Sequence, residues 1–440
     1  MDLQTGNIKK QFFQYLFPAV AGAVVVALYS FVDTIAVGQG VGPNGTAAIA
    51  VCVPFFNVVT FVSILCGIGG ATMYGQARGE GNGEKANASF TVSLITVIVI
   101  TAAAMALLWA FRYPIYRLCG ADDQILPYAM DYGNWVIIGL PAFVCASYLP
   151  CFLRNDGAPN LVLAATVTGA VINIFGDWFL VFPMKMGMAG AAYASVAGAV
   201  VQSVVLCIHF FTKKCTLRLV RPTHFLRGIR RVLSGGFGAG FQYIAVIVTS
   251  IIMNNQIMKY SGAAALAIYG VMITVVALFQ NIYAGVGQAA QPLVSVNFGA
   301  GLLDRIRQTY RVAAVAALVF SVCFTVVGMA FPRQITMLFM DATPEVLEMA
   351  PSIMRIYYWA LLVSGYSIFD IVYLQSIDKP VAAAVGALLR GILLNGSLIL
   401  ILPAVFGTDG IWWAVVIAEV VTALWLLFYT TMQNKKLFAR

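Results

Sequence analysis

Apolar runs of twenty or more residues recur along the whole chain, separated by short polar breaks. Each is long enough to cross a ~30 Å hydrocarbon core as a helix. Twelve are expected, near 11–38, 47–75, 88–111, 129–153, 160–182, 187–211, 232–258, 263–295, 308–330, 350–376, 380–404 and 409–432. The eighth exceeds the core thickness, so it is expected to tilt or to extend into water. Turn-forming clusters sit in the breaks, among them Gly42-Pro43-Asn44-Gly45, Asn155-Asp156-Gly157-Ala158-Pro159, Asp378-Lys379-Pro380 and Gly407-Thr408-Asp409-Gly410. The ~10-residue alternation of a β-barrel is absent. The pattern predicts an all-α polytopic membrane protein with twelve transmembrane helices.

The pattern repeats once. Gly176, Pro183, Gly190 and Ala194 match Gly396, Pro403, Gly410 and Ala414 at an offset of 220. Upstream, Gly67-Ile68-Gly69-Gly70-Ala71 resembles Gly285-Val286-Gly287-Gln288-Ala289 at an offset of 218. Two pseudo-symmetric six-helix lobes follow, 1–211 and 232–440, joined by a basic stretch at 212–231. An even span count keeps both lobes in one orientation, which implies a pseudo-twofold along the membrane normal and a substrate cavity between them.

Composition agrees with this class: 61% of residues are hydrophobic and 10% charged, against about 25% charged in soluble domains. The net charge of +9 resolves into topology. With the N-terminus placed in the cytoplasm, inner segments hold 18 Lys or Arg, from Lys9 to Arg440, and outer loops hold five. Both termini are therefore expected inside, with the basic residues facing anionic lipid headgroups. Their dispersal over separate loops speaks against a nucleic-acid partner. The first apolar run is too long for a signal-peptide core and reads as a retained span. Of eight cysteines only Cys119 falls in an outer loop, so no external disulfide is expected within the chain, and His209 and His224 show no metal-ligand spacing. No zinc motif, Ser/His pairing or phosphate loop is present, so no enzymatic activity and no cofactor are expected.

Asp33 is the sole charge between Phe12 and Gly38. A carboxylate at such depth is costly and usually faces protein or a wet cavity. Asn173 and Asp177 share one helix face by their four-residue spacing, and Ser195 follows in the sixth span. Counted from the outer ends, Asp33, Asp177 and Ser195 lie roughly 8, 9 and 12 Å deep. Four polar groups from three helices thus reach one layer. Two carboxylates, an amide and a hydroxyl suit a small hard cation with oxygen ligands, and equally a proton held between paired acids. At the repeat offset the second lobe has Asn254, Ser397 and Val415 in place of Asp33, Asp177 and Ser195, so the acids are not required by the fold itself. The bland alternative is hydrogen bonding between neighbouring helices.

These residues resemble the multidrug and toxic compound extrusion (MATE) transporters over nearly the full length. The resemblance is carried by Pro18 with Asp33 fifteen residues later, the Gly67–Asn82 segment, Asn173-x-x-x-Asp177, Gly190-Ala191-Ala192-x-Ala194-Ser195, and Gln291-Pro292-Leu293-Val294-Ser295-x-Asn297-x-Gly299-Ala300. The last is most similar to the MepA-like bacterial branch. The resemblance implies a monomeric, ion-coupled antiporter of the bacterial cytoplasmic membrane. It would expel hydrophobic organic cations against Na⁺ or H⁺, with Asp33, Asn173, Asp177 and Ser195 contributing the cation site. Pro18 matches a proline where the first helix bends in some members; taken alone it also reads as a start-of-helix proline.

The second lobe offers Tyr366, Asp370 and Tyr373 on one face of span 10, with Gln242, Asn254 and Gln280 as further candidate polar groups. Some MATE members place an acid and a tyrosine so, together with an acid in the seventh helix that this chain lacks. Arg390 in span 11 is expected to neutralise Asp370, with Glu419 nearby in span 12. The competing function is a flippase of lipid-linked precursors. It requires several basic groups at depth to cradle a diphosphate, whereas only Arg355 and Arg390 lie clearly inside spans beside four acids.

Overall fold

The computed structural model describes residues 3–222, 224–340 and 343–438; Arg440, counted above among the inner basic residues, lies outside them. Among the described residues there is no strand. The spans are α1 (Ile8–Gly40), α2 (Pro43–Gly79), α3 (Gly83–Ala110), α4 (Leu126–Ile138 and Leu140–Asn155), α5 (Pro159–Val181), α6 (Gly187–Cys207, continued by a 3₁₀ turn to Phe211), α7 (Phe225–Tyr260), α8 (Gly262–Gly299), α9 (Leu303–Ala330), α10 (Pro344–Tyr357 and Leu361–Ser376), α11 (Pro380–Leu388, then Leu389–Gly396 and Ser397–Phe406) and α12 (Thr408–Phe438). Among the described residues eleven are long and apolar enough to cross a membrane, and the two parts of α4, bent by 53° at Gly139, make a twelfth when taken as one span. The expected number of spans holds.

The repeat extends beyond the matched glycines. Two short helices that periodicity did not predict, Arg112–Leu118 and Pro332–Phe339, begin 220 residues apart after α3 and α9. The turns before α5 and α11 place Gly157 (φ 80°) and Asp378 (φ 59°) in the left-handed region, which aspartate tolerates better than most side chains. Proline opens both α5 and α11, where its missing N–H costs no helical bond. Asn82 caps α3 by accepting from Lys85 N at 2.9 Å, satisfying one of the orphan donors of the first turn.

In lipid, small residues let helix backbones close on each other. A methyl group on Gly169 of α5 would stand 2.8 Å from the Gly198 carbonyl of α6, and one on Gly198 2.7 Å from the Gly169 carbonyl. This contact sits one turn from Asn173 and Ser195 and sets their approach. Near the ends of α11 and α12 the same device recurs, with Gly410 against the Leu402 carbonyl.

The chain forms two compact units that do not follow the midpoint strictly. Phe17–Gly236 belongs to one, and Gly6–Leu16 with the chain from Phe237 onward to the other. The basic stretch 212–231 is docked within the first unit: Arg218 N donates to Asn87 Oδ1 at 2.9 Å and Val220 N to Thr91 Oγ1 at 3.1 Å. In the second unit Arg305 donates to the Gly6 carbonyl, to Gln11 Oε1 and to Asn297 Oδ1. The helices α1 and α7 therefore each pass from one unit to the other. Pro18 lies at the passage in α1, eleven residues into the helix. The reading as a start-of-helix proline is corrected: the helix begins at Ile8, so Pro18 removes an interior backbone bond.

Candidate functional site: a buried acid cluster

Within the first unit, α1 supplies Asp33, α5 supplies Asn173 and Asp177, and α6 supplies Ser195. All four come together. Asp177 is fully buried, Asp33 and Asn173 nearly so. Asn173 Nδ2 donates to Ser195 Oγ at 3.2 Å. The carboxyls of Asp33 and Asp177 are mutual polar neighbours. Tyr132 of α4, buried and unnoticed in the sequence, stands beside Asp33 and Ser195. Its hydroxyl had no signal in a one-dimensional reading, because a lone tyrosine in an apolar helix is common.

Polar satisfaction is the informative property here. Asp33 Oδ1, both Asp177 oxygens and Asn173 Oδ1 are buried without a hydrogen-bond donor. Such acceptors are rare in folded proteins, since each forfeits its hydration without return. Four oxygens from two helices thus lack a donor or cation, and among the described residues no Lys or Arg pairs with either acid. The arrangement accepts positive charge, whether a metal cation or protons.

The second unit arranges its polar groups differently, and one expectation is corrected. Arg390 pairs with Glu419, Nε to Oε1 at 2.8 Å, and not with Asp370. Asp370 instead accepts from Thr430 Oγ1 at 2.6 Å and neighbours Tyr310 and Tyr366, whose hydroxyls are 2.9 Å apart. The reason is depth: Thr430 and Glu419, both on α12, are separated by about 16 Å along the helix at 1.5 Å per residue. Their partners therefore lie in different layers. The candidate C-lobe set splits in two. Tyr366 and Asp370 form one group, while Gln242 (accepting from Arg390 Nη1 at 3.3 Å) and Gln280 line a cavity with Arg390. Asn254 is exposed on α7 and lines no part of that cavity. Tyr373 turns to Asn434 Oδ1 at 2.6 Å.

A third polar centre was missed because its members are far apart in sequence. Asp156, in the α4–α5 turn, receives Arg78 Nη1 at 2.6 Å, Tyr74 Oη at 3.0 Å and Thr216 Oγ1 on one oxygen. His209 Nε2 at 2.7 Å and Thr216 N at 2.9 Å meet the other. Burial pushes this carboxyl up, but the bonds from His209 and Thr216 and the Arg78 charge outweigh it and hold Asp156 below the usual carboxylate value. Cys215 lies close enough to complete a three-ligand set with Asp156 and His209. With five donors already on the carboxylate, the centre acts as an anchor that ties the 212–217 segment to α2 and α4.

Comparisons with known proteins follow the same frame. The MatE family model matches residues 18–179 and again 239–400, the second match beginning 221 residues after the first. The multidrug export protein MepA of Staphylococcus haemolyticus (strain JCSC1435) is 24% identical over 430 residues, covering 97% of this chain and 94% of that protein. MepA of Staphylococcus aureus (strain MSSA476) is 22% identical over 420 residues, covering 94% and 92%. Among solved structures, an outward-facing conformation of a multidrug resistance MATE family transporter of the MOP superfamily superposes with a TM-score of 0.92 at 20% identity, covering 100% of this chain and 98% of that one. A MOP superfamily transporter from Pyrococcus furiosus, described as having a binding pocket of reverse polarity that suggests a different function, gives 0.92 at 20% identity, covering 99% and 98%. These likenesses establish the fold, and the double match over both halves establishes that the chain belongs to the MatE family.

Proposed function

We propose that the protein is a multidrug exporter that expels hydrophobic organic cations in exchange for Na⁺ or H⁺ by alternating access. One observation carries the coupling: two buried acids with three donor-less carboxylate oxygens, joined by the donor-less amide oxygen of Asn173. A group that takes up a cation on one side of a membrane and releases it on the other needs this imbalance, because a fully satisfied carboxylate has no differential affinity to offer. Asp33, Asn173, Asp177, Ser195 and the added Tyr132 would hold the coupling cation. The names of the staphylococcal relatives, multidrug export proteins matched over nearly the whole chain, support multidrug export.

Membrane placement completes the reading. The excess of Lys and Arg in alternate loops supports both termini on the cytoplasmic side of a bacterial cytoplasmic membrane. The two units would rock about the passages in α1 and α7. The flippase reading loses ground to the observed pairing: Arg390, one of two cations at depth, is already neutralised by Glu419, and Arg355 is the other.

Drug-driven ion counterflow in proteoliposomes tests the proposal, with ΔpH and ΔNa⁺ imposed separately. A cationic dye should leave the vesicles only when one of the two gradients is present. Dye movement independent of both would overturn ion coupling.

A further inference from the structure

The second unit contains a partly open cavity of about 240 Å³, and its wall carries an ion pair. Arg390 sits on the Leu389–Gly396 segment of α11, which is wound as a π-helix, a rare local form that recurs at functional sites. Lipid-facing helices seldom hold an arginine ten residues from their end, roughly 15 Å deep. The pair is close at 2.8 Å, yet Arg390 Nε is not aligned to donate along it. A guanidinium has five N–H donors; a single hydrogen bond, from Nη1 to Gln242, is formed among the described residues. Across the same cavity wall, Glu419 Oε2 and Asn395 Oδ1 are buried acceptors without a donor. The cavity wall therefore carries a guanidinium with unused donors beside a carboxylate, with no net charge between them.

We infer that this cavity is a binding site for a compact zwitterion with an apolar body. A lone cation would satisfy Glu419 but bury an uncompensated charge, and a lone anion would do the same at Arg390. A zwitterion brings no net charge. Its carboxylate engages the planar guanidinium, which presents paired N–H groups suited to two oxygens. Its ammonium donates to the carboxylate of Glu419, which lines the cavity. Because the protein's own two charges touch, the ligand's must be adjacent as well, as in an α-amino acid. Tyr269 and Tyr357 border the remaining space and suit an aromatic or branched body. The volume, about 240 Å³, falls below the ~300–1,000 Å³ of sites for drug-sized ligands and suits a compact one. The site differs from the Asp33 cluster in residues, unit and charge. That the bound molecule is exported rests on the function proposed above, whereas its binding does not.

Equilibrium binding to the full-length protein in nanodiscs, without an ion gradient, tests the inference. The probes are phenylalanine, phenylalanine methyl ester (cation only) and N-acetylphenylalanine (anion only). Wild type should bind phenylalanine at least tenfold more tightly than either blocked form. Arg390→Lys, which keeps the charge and loses the fork, should reduce that preference. Arg390→Gln with Glu419→Gln, which leaves no unpaired buried charge, should abolish it. Equal binding of the three probes by wild type, no binding of any, or a preference surviving in the double variant would each overturn the site. Asp33→Asn should bind phenylalanine as wild type does while failing ion-driven transport. This separates a failure of the zwitterion site from a failure of the coupling proposal, and loss of phenylalanine binding in Asp33→Asn would refute the independence of the two sites.

Discussion

The two halves share a frame down to matched short helices and turns, yet they partner their intramembrane acids differently. In the first, Asp33 and Asp177 lie together with three oxygens lacking donors, and among the described residues no Lys or Arg pairs with them. In the second, Glu419 has Arg390, and Asp370 has the Thr430 hydroxyl with two tyrosines close by. A fold that needed acids for packing would have distributed them alike. On the function proposed above, the contrast assigns the demand for an external positive charge to the first half, since each acid of the second has a charged or hydroxyl partner on one oxygen. It also indicates that a duplicated frame can keep its helix contacts while its polar chemistry diverges, since glycine contacts such as Gly410 against Leu402 are independent of which side chains face inward.

The largest effect expected from breaking this contrast is at the unpartnered acids. Asp33→Asn and Asp177→Asn each keep the shape and remove the charge. Both proteins should insert and melt near wild type or slightly higher, because an unsatisfied buried carboxylate is removed. Ion-driven efflux per folded molecule should fall to the leak of empty vesicles. Transport at the wild-type rate by either variant under the same gradient would dissociate the cluster from coupling.

A smaller effect, on stability and not on ion coupling, is expected where the acid is partnered. Glu419→Gln leaves Arg390 buried without a counter-charge, a loss of up to about 3–5 kcal/mol in comparable buried pairs. A marked drop in thermal midpoint should result. The double change Arg390→Gln with Glu419→Gln should recover most of it, and ion-driven transport of a hydrophobic cation should persist. If the double variant is no more stable than the single one, the pair is not the source of the cost.

Much of this was legible in the chain. Twelve spans and one duplication follow from apolar length and from glycines held at a near-constant offset. Asp33, Asn173, Asp177 and Ser195 were recoverable because each is a polar exception in an apolar run, and depth along a helix is a linear count. Three features were not legible. Tyr132 has no contrast with its surroundings. The Asp156 centre joins residues 74, 78, 156, 209 and 216, which no periodicity connects. The partner of Arg390 was misassigned because two acids, Asp370 and Glu419, stood within reach in sequence terms; the choice between them depends on the separation along α12 of Glu419 from Thr430, the partner of Asp370, and that requires knowing which residues of α12 face α10 and which face α11.

Asp156 provides a partnered acid in the same half as the unpartnered pair, and a pH test follows from it. Its pKa is held below the ordinary value of 3.8 in the folded protein. The folded state therefore binds this proton less readily than the unfolded chain does. Its stabilisation is complete above that value and is lost as pH falls through the folded-state pKa. Asp156→Asn should lower the thermal midpoint at pH 7, by a loss on the order of 1.5–3 kcal/mol for bonds to a charged group. The difference from wild type should shrink as pH is taken below about 3.8. A gap that stays constant down to pH 3 would mean that the carboxylate charge is not what holds the 212–217 segment.

The smallest effect is expected at Asp370, and it discriminates between the halves most sharply. The side chain is fully buried, with Oδ2 accepting from Thr430 and Oδ1 lacking a donor. Asp370→Asn retains an oxygen for Thr430 and adds an amide donor next to Tyr310 and Tyr366, which have acceptor capacity of their own. Since Arg390 relies on Glu419, no counter-charge is stranded by the change. The stability difference should be within about 1 kcal/mol, the scale of one exchanged hydrogen bond, and dye efflux should stay within a few-fold of wild type under either gradient. Measured beside Asp33→Asn, the variant asks whether a half-satisfied acid is enough for coupling. A well-folded Asp370→Asn protein that no longer exchanges ions for dye would place a second coupling group in the C-terminal half, and the asymmetry between the lobes would then describe two successive ion sites with different partners.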